Sequence, residues 1–109
     1  MANVIKEITV TELKEWKDSG KDFQLIDVRE ANEYEVANIG GELIPLSTVS
    51  ENADKVNTDK PVVVHCRSGK RSANAIAVLQ MDHDLDNLYN LKGGILAWSD
   101  EIDPSIPKY

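Results

Sequence analysis

The single cysteine of this chain lies between a strongly apolar segment and a short basic loop. Residues 62–64 are three valines in succession, a pattern typical of a buried strand. They lead through His65 to Cys66, and the loop that follows carries three cations, Arg67, Lys70 and Arg71. Beyond the loop, a run rich in alanine predicts a helix that begins at Ser72.

A strand, a tight loop and a helix start in this order favour the binding of anions. The first N–H groups of a helix have no partner within it and carry partial positive charge. The loop cations add to that field, and the thiolate is the form of a cysteine that such a field stabilises. The sequence therefore predicts that Cys66 is a readily ionised nucleophile that handles a small anionic group.

Length and charge limit the remaining possibilities. A chain of 109 residues fits one hydrophobic core, so we expect a single domain over 1–109, with a core at about 7–101 and an irregular tail at 102–109. A net charge of −7 argues against nucleic acid as a partner. The acidic surface and small size favour a monomer, and nothing in the sequence indicates a metal site or a cofactor.

The chain is expected to be cytoplasmic and not bound to a membrane. No apolar run approaches the roughly 20 residues that a membrane span needs, and residues 1–7 have no pattern of a secretory signal. One cysteine also excludes an internal disulfide.

Short apolar strands alternate with short helices along the sequence. Strands are predicted at residues 7–10, 23–28, 42–44, 61–65 and 87–91, and helices at 11–17, 30–36, 47–56, 72–81 and 95–101. Because helical segments separate the strands, the connections are crossovers and the sheet should be parallel. Ligands bind beyond the carboxyl ends of such strands, which is where Cys66 falls.

Four blocks of sequence, in a fixed order over residues 26–98, carry a family resemblance. They are Ile26-Asp27-Val28-Arg29-Glu30 with Glu33-Tyr34, Ile44-Pro45-Leu46, the run from Val64 to Ser72, and the run from Tyr89 to Ile95 with Ala97-Trp98. On these residues the chain resembles a single-domain rhodanese, a sulfurtransferase. The resemblance implies an α/β fold of three layers, with a central, mostly parallel five-stranded sheet between helices on both faces.

The resemblance also implies a reaction. The Cys66 thiolate would take the outer sulfur of thiosulfate or another persulfide-type donor, and the resulting persulfide would pass that sulfur to cyanide, a thiol or a protein acceptor. No cofactor and no metal are implied. The expected partners are thus a small anionic sulfur donor and a thiophilic acceptor.

Roles follow for the residues around the cysteine. The substrate-binding group is expected to be the loop itself: Arg67, Ser68, Gly69, Lys70, Arg71 and Ser72. Arg67 and Lys70 would hold the donor or an anionic acceptor, and Arg71 would anchor the loop by bonding its carbonyls. Gly69 would allow a positive φ. Ser68 and Ser72 would cap the helix or donate to the thiolate.

Residues outside the loop are expected to support it without acting on the substrate. Asp27 and Arg29 should pair with loop groups. His65 should point away from Cys66 because neighbouring side chains of a strand face opposite sides. Trp98 should pack over the core, and Asp84 should adopt the left-handed conformation at a turn.

Two other functions fit parts of the sequence. A cysteine phosphatase or arsenate reductase would use a similar loop, but here Cys66 and Arg71 are separated by four residues where phosphatases have five. A shorter loop has less room for a tetrahedral phosphate. A rhodanese-like module that only binds a partner is the second alternative, although such modules usually lack the cysteine or the loop cations.

Overall fold

The computed structural model describes residues 4–109; residues 1–3, part of the segment in which no secretory signal was expected, lie outside them. In the described range the elements are β1 (Lys6–Ile8), α1 (Val10–Ser19), β2 (Gln24–Asp27), α2 (Ala31–Val36), β3 (Glu42–Leu43), β4 (Val62–His65), α3 (Lys70–His83), β5 (Leu88–Leu91) and α4 (Gly94–Glu101). Two 3₁₀ turns, Leu46–Thr48 and Ala53–Lys55, connect β3 to β4.

The five strands form one parallel sheet in the order β1-β5-β4-β2-β3. This confirms the predicted α/β fold with a parallel five-stranded sheet. The most apolar strand, β4, lies at the centre, and all four of its residues are buried. In the β2–β4 pair, Asp27 is opposite His65, so both strands end level with each other just before Cys66.

Alternate residues of the sheet divide the core into two halves. Val62, Val64 and Cys66 pack on one face with residues of α3 and of the segment between β3 and β4. Val63 packs on the opposite face, which α1 and α4 cover. Trp98 lies in that second half and is 6% exposed, so its predicted packing role is confirmed. Helices therefore cover both faces of the sheet.

The predicted helix over residues 47–56 is wrong, because the chain forms only the two 3₁₀ turns there. The segment contains serine, asparagine and β-branched residues, which are poor helix formers or compete for backbone hydrogen bonds. Asn52 marks where the helical geometry stops: its N–H and its side chain both donate to the Thr48 carbonyl, at 3.1 and 3.0 Å, and its own backbone has φ −107° and ψ 21°.

The ends of two helices also differ from the predictions for local reasons. Helix α1 starts at Val10 because Thr9 and Glu12 form a reciprocal capping box that ends β1 early. Helix α3 starts two residues before Ser72, so Lys70 and Arg71 belong to its first turn. It ends at His83, and the next residue, Asp84, has φ 56° and ψ 35°, which confirms the predicted left-handed conformation.

Candidate active site

The sulfur of Cys66 lies where the backbone N–H groups of the following loop converge. Cys66 directly follows β4 and is fully buried as a residue. The N–H of Gly69 donates to Sγ at 3.1 Å and that of Ser72 at 3.4 Å, while the Ser72 hydroxyl lies 3.5 Å from the same sulfur. This arrangement surrounds the sulfur with donors aimed at a single point, which suits a negative charge.

These contacts decide how readily the thiol ionises. Burial by itself raises the pKa of Cys66, because it penalises the charged form. The opposing contacts come from the Ser72 hydroxyl, when its proton faces the sulfur, and from the N–H groups of Ser72, Gly69 and Ser68. Together they outweigh burial and lower the pKa of Cys66 below its ordinary value. The geometry thus provides a thiolate at lower pH than a free cysteine would.

Gly69 gives the loop its shape. Its φ is +107°, which confirms the prediction that this position needs a conformation that glycine adopts without strain. It is the residue that precedes α3, and no side chain caps the helix there. Ser68 and Ser72 therefore do not act as caps. Because the end of α3 is left uncapped, its N–H groups remain free to face Cys66 Sγ.

Helix α4 holds the loop from the other side. The N–H of Ile95 donates to the Cys66 carbonyl at 3.0 Å, and that of Leu96 donates to the Arg67 carbonyl at 3.2 Å. This close approach requires Gly94, since a Cβ there would lie 2.5 Å from both carbonyl oxygens. Gly94 was not predicted as a site residue. The signal was the Gly93-Gly94 pair directly after the last strand, which marks a close approach of two backbones.

We expect Gly94→Ala to lower the free energy of unfolding by about 3 kcal/mol, from the positive φ and the clash together. The φ at Gly94 is +59°, so alanine would be strained even without the clash. Gly20→Ala is the matched control, because φ there is +72° with nothing within 4 Å, and its expected cost is about 1 kcal/mol. Urea unfolding of both variants measures the difference; equal costs would contradict the close approach.

Two of the three loop cations are exposed, and the third is already paired. Arg67 and Lys70 point to solvent. Arg71 binds the Glu33 carboxylate of α2 through two hydrogen bonds, of 2.7 and 2.8 Å. This pairing, chiefly the hydrogen bonds from Arg71, lowers the pKa of Glu33 to about 2. The prediction that Arg71 bonds loop carbonyls is therefore wrong: a bidentate carboxylate is a stronger partner than a neutral carbonyl.

Asp27 and Arg29 also do not pair with the loop, contrary to prediction. Both are fully buried, and Arg29 Nη2 lies 2.7 Å from Asp27 Oδ2. The same nitrogen donates to the Ala37 carbonyl at 2.6 Å. The two residues are only two positions apart, so they bind each other locally and fix the chain that leaves β2, while Arg29 Nη1 has no hydrogen-bond partner among the described residues.

His65 lies beside this pair and away from the sulfur, as predicted. Its Nε2 is 3.6 Å from Asp27 Oδ2, and neither ring nitrogen has a hydrogen-bond partner among the described residues. Burial lowers the pKa of His65 to about 4, although the Asp27 charge opposes this. The imidazole is therefore neutral at neutral pH and supports the core under the loop.

Asn90 is a second residue of the site that was not predicted. Its side chain accepts a hydrogen bond from the Ser72 hydroxyl at 2.5 Å and donates one to the Gly69 carbonyl at 3.1 Å. The available signal was an asparagine within the strand segment Leu88-Tyr89-Asn90-Leu91, since a buried amide needs hydrogen-bond partners.

Residues 4–109 contain neither a metal-binding cluster nor a membrane-spanning helix. No group of three or more His, Cys, Asp or Glu side chains in this range could hold a metal ion. No helix in the same range is long and apolar enough to cross a membrane.

The fold and this site define a class: a parallel α/β domain in which one cysteine ends the central strand and is enclosed by N–H donors. Within that class the chain belongs to the family of rhodanese-like domains, whose family model matches residues 9–101. Its Cys66 loop lies inside the matched region.

Relatives connect the chain to sulfur transfer. It is 38% identical over 105 residues to the probable adenylyltransferase/sulfurtransferase MoeZ of Mycobacterium tuberculosis, covering 94% of this chain and 26% of that protein. It therefore spans about a quarter of that relative's length. It is 40% identical over 95 residues to the uncharacterized protein YqhL of Bacillus subtilis, covering 86% and 74% of the two chains.

A solved structure has the same fold. The rhodanese-like domain protein of Staphylococcus aureus superimposes with a TM-score of 0.78 at 31% identity, covering 94% of this chain and 97% of the other. The chain is thus homologous to domains of sulfurtransferases.

Proposed function

We propose that the chain is a sulfurtransferase that carries a sulfane sulfur on Cys66. The observation that supports this most directly is the set of N–H donors around a buried sulfur, from Gly69 at 3.1 Å and Ser72 at 3.4 Å. With the other contacts of the loop they lower the pKa of Cys66 against burial, which alone would raise it. Membership of the rhodanese-like family supports the same chemistry.

The first half of the reaction loads the enzyme. The Cys66 thiolate attacks the outer sulfur of thiosulfate, or of another persulfide-type donor, and a new S–S bond forms. The bond from that sulfur to the donor breaks, and the leaving group takes the bonding electron pair: sulfite leaves from thiosulfate, and a thiolate leaves from a persulfide donor. Because the attacking group is already a thiolate, no general base is required, which agrees with a buried His65 that lies beside Asp27.

The second half discharges it. A cyanide ion or a thiolate attacks the outer sulfur of the persulfide, takes that sulfur, and the Cys66 thiolate leaves. The N–H groups around Sγ stabilise the returning charge. The chain has one cysteine, so a second molecule must discharge the persulfide, and a protein sulfur acceptor is one candidate. We place this cycle in the cytoplasm, where thiols stay reduced.

Substrate selection is assigned to the exposed loop cations. Arg67 and Lys70 are free to meet the sulfonate of thiosulfate or an anionic acceptor. Both terminal nitrogens of Arg71 donate to Glu33, so in this arrangement its guanidinium cannot make the same two hydrogen bonds to a substrate phosphate. That contact and the four-residue spacing both disfavour a phosphatase or arsenate reductase. A binding module would not need a lowered thiol pKa.

The experiment is intact mass after incubation with thiosulfate. We expect the gain of one sulfur atom, its removal by cyanide, and no gain when Cys66 has first been alkylated. A parallel assay with an aryl phosphate tests the rival reaction. If phosphate is released and alkylation of Cys66 abolishes that release, the protein is a phosphatase and the proposal is wrong. If the folded protein shows neither reaction, the proposal is also wrong and a module that only binds a partner is the remaining alternative.

Lys70→Ala is expected to raise the KM for thiosulfate about threefold with little change in kcat, because an exposed charge contributes modest, uniform binding of the anion. Lys55→Ala is the control: Lys55 is also exposed, but its carbonyl bonds to Gln24 at the amino end of β2, the edge opposite Cys66. Steady-state kinetics on both variants make the comparison. An unchanged KM for Lys70→Ala would assign this cation to the acceptor.

A further inference from the structure

Asn90 joins the two groups that flank the sulfur of Cys66. Its side chain rises from β5 and is nearly buried, at 6% exposure. The amide nitrogen donates to the Gly69 carbonyl at 3.1 Å, and the amide oxygen accepts from the Ser72 hydroxyl at 2.5 Å. Gly69 and Ser72 are also the residues whose N–H groups point at Cys66 Sγ. One amide thus contacts both ends of the donor set.

The partners of this amide determine which way it faces. A carbonyl can only accept, so the nitrogen of Asn90 must be the atom turned to Gly69. The oxygen is then turned to Ser72, and that hydroxyl must donate its single proton to it. Ser72 Oγ lies 3.5 Å from Cys66 Sγ. Toward the sulfur it can therefore present only a lone pair.

We propose that Asn90 is a positioning residue, which holds the proton of the Ser72 hydroxyl away from the sulfur of Cys66. The thiolate is then stabilised by backbone N–H groups alone, and the protonated thiol can donate to Ser72 Oγ. The hydroxyl can stabilise the thiolate only by turning its proton from Asn90 to the sulfur. Asn90 opposes that turn, and so limits how far Ser72 lowers the thiol pKa.

This limit has a use in the proposed sulfur-transfer cycle, on which this part of the inference rests. A thiolate becomes a weaker nucleophile as its pKa falls, with a Brønsted slope of about 0.4–0.5. Donors that hold the sulfur too tightly would therefore slow its attack on a sulfur donor. With Asn90 in place, the backbone N–H groups keep Cys66 ionised, and the thiolate receives no additional hydrogen bond from the Ser72 hydroxyl.

The other charges near the cysteine are the same in every variant used below, so they cannot account for a difference between variants. The groups on the elements around Cys66 are Arg67 and Lys70 on the loop, Arg71 with Glu33, and Asp27 with Arg29 and His65.

Asn90→Leu tests the proposal, because leucine is similar in size and has no acceptor for the Ser72 proton. We expect the pKa of Cys66 to fall by about one unit, as the freed hydroxyl donates to the thiolate. The thiolate, titrated by its ultraviolet absorbance, can only be Cys66. Attack of the fully ionised thiol on an aromatic disulfide should slow about threefold.

Ser72→Ala separates this role from simple support of the loop. Alone it should leave the pKa of Cys66 within about 0.3 units, since the native hydroxyl does not donate to sulfur. In Ser72→Ala with Asn90→Leu, the fall seen for Asn90→Leu should disappear. If Asn90 merely held the loop, Asn90→Leu would lose N–H donors from the sulfur, and the pKa would rise.

A rise or no change in Asn90→Leu overturns the proposal. If that variant does not fold, as circular dichroism would show, Ser72→Ala decides alone: an unchanged pKa supports the proposal, and a rise of about one unit overturns it. The titration uses no sulfur donor. A protein that fails to acquire sulfur but shows these shifts would refute the proposed function and leave this inference standing.

Discussion

Cys66→Ser is expected to abolish sulfur uptake from thiosulfate, with a fall in rate on the order of a thousandfold or more. Serine keeps an acceptor where the N–H groups of Gly69 and Ser72 converge. Its hydroxyl, however, remains protonated at neutral pH and cannot hold a sulfane sulfur as a persulfide. The loss should therefore come from the chemistry, while the loop keeps its geometry.

The measurement is the rate of thiocyanate formation from thiosulfate and cyanide, together with thermal unfolding of the same samples. The cost in stability should be about 1 kcal/mol, since one buried atom is exchanged for a smaller polar one with the same donors. Sulfur transfer that persists in the folded variant would contradict the assignment of Cys66. A variant that loses activity because it unfolds would be recognised from its melting curve.

Arg29→Met has the largest expected effect on stability, a loss of about 4 kcal/mol. Arg29 and Asp27 are fully buried and bind each other, with Nη2 and Oδ2 2.7 Å apart. Methionine fills part of the space but leaves the Asp27 carboxylate without its counter-charge. In the native protein the neighbouring His65 is neutral at pH 7, because burial lowers its pKa to about 4, so Arg29 is the counter-charge of Asp27.

Two comparisons isolate the buried charge. Asp27→Asn combined with Arg29→Met removes both charges and should cost less than Arg29→Met alone, since no unpaired ion remains. Asp18→Ala breaks the exposed Lys14–Asp18 pair, 2.9 Å long, and should cost at most about 0.5 kcal/mol. Urea denaturation gives all three values. A loss below about 1 kcal/mol for Arg29→Met would mean that the pair contributes little.

The sheet and the position of Cys66 could be predicted because their signals are local in sequence. The valines of β4 and the alternation of strands with helices are sufficient to place the cysteine at the carboxyl edge. Gly69 is predictable for the same reason, because a tight turn before a helix needs its positive φ.

The partners of the polar residues could not be predicted, because they depend on which elements meet in space. Arg71 finds Glu33 across 38 positions of sequence, and Ser72 finds Asn90 across 18. No periodic pattern in the sequence links residues at either of these separations. Asp27 and Arg29 show a different limit: their sequence spacing allows pairing with each other or with the loop, and only burial decides between the two.

The start of α4, which bonds to the carbonyls of Cys66 and Arg67, has a consequence for cooperativity. Helix α3, which begins within the loop, packs on one half of the core, and α4 packs on the other. The loop is thus bonded to both halves at once. Local opening of the loop would require α3 and α4 to separate from the sheet, which should happen only when the whole domain unfolds. The amide protons of the loop should therefore exchange with solvent almost as slowly as those of the central strand. We therefore expect the reactive loop to open together with the core, and not as a separate flexible segment.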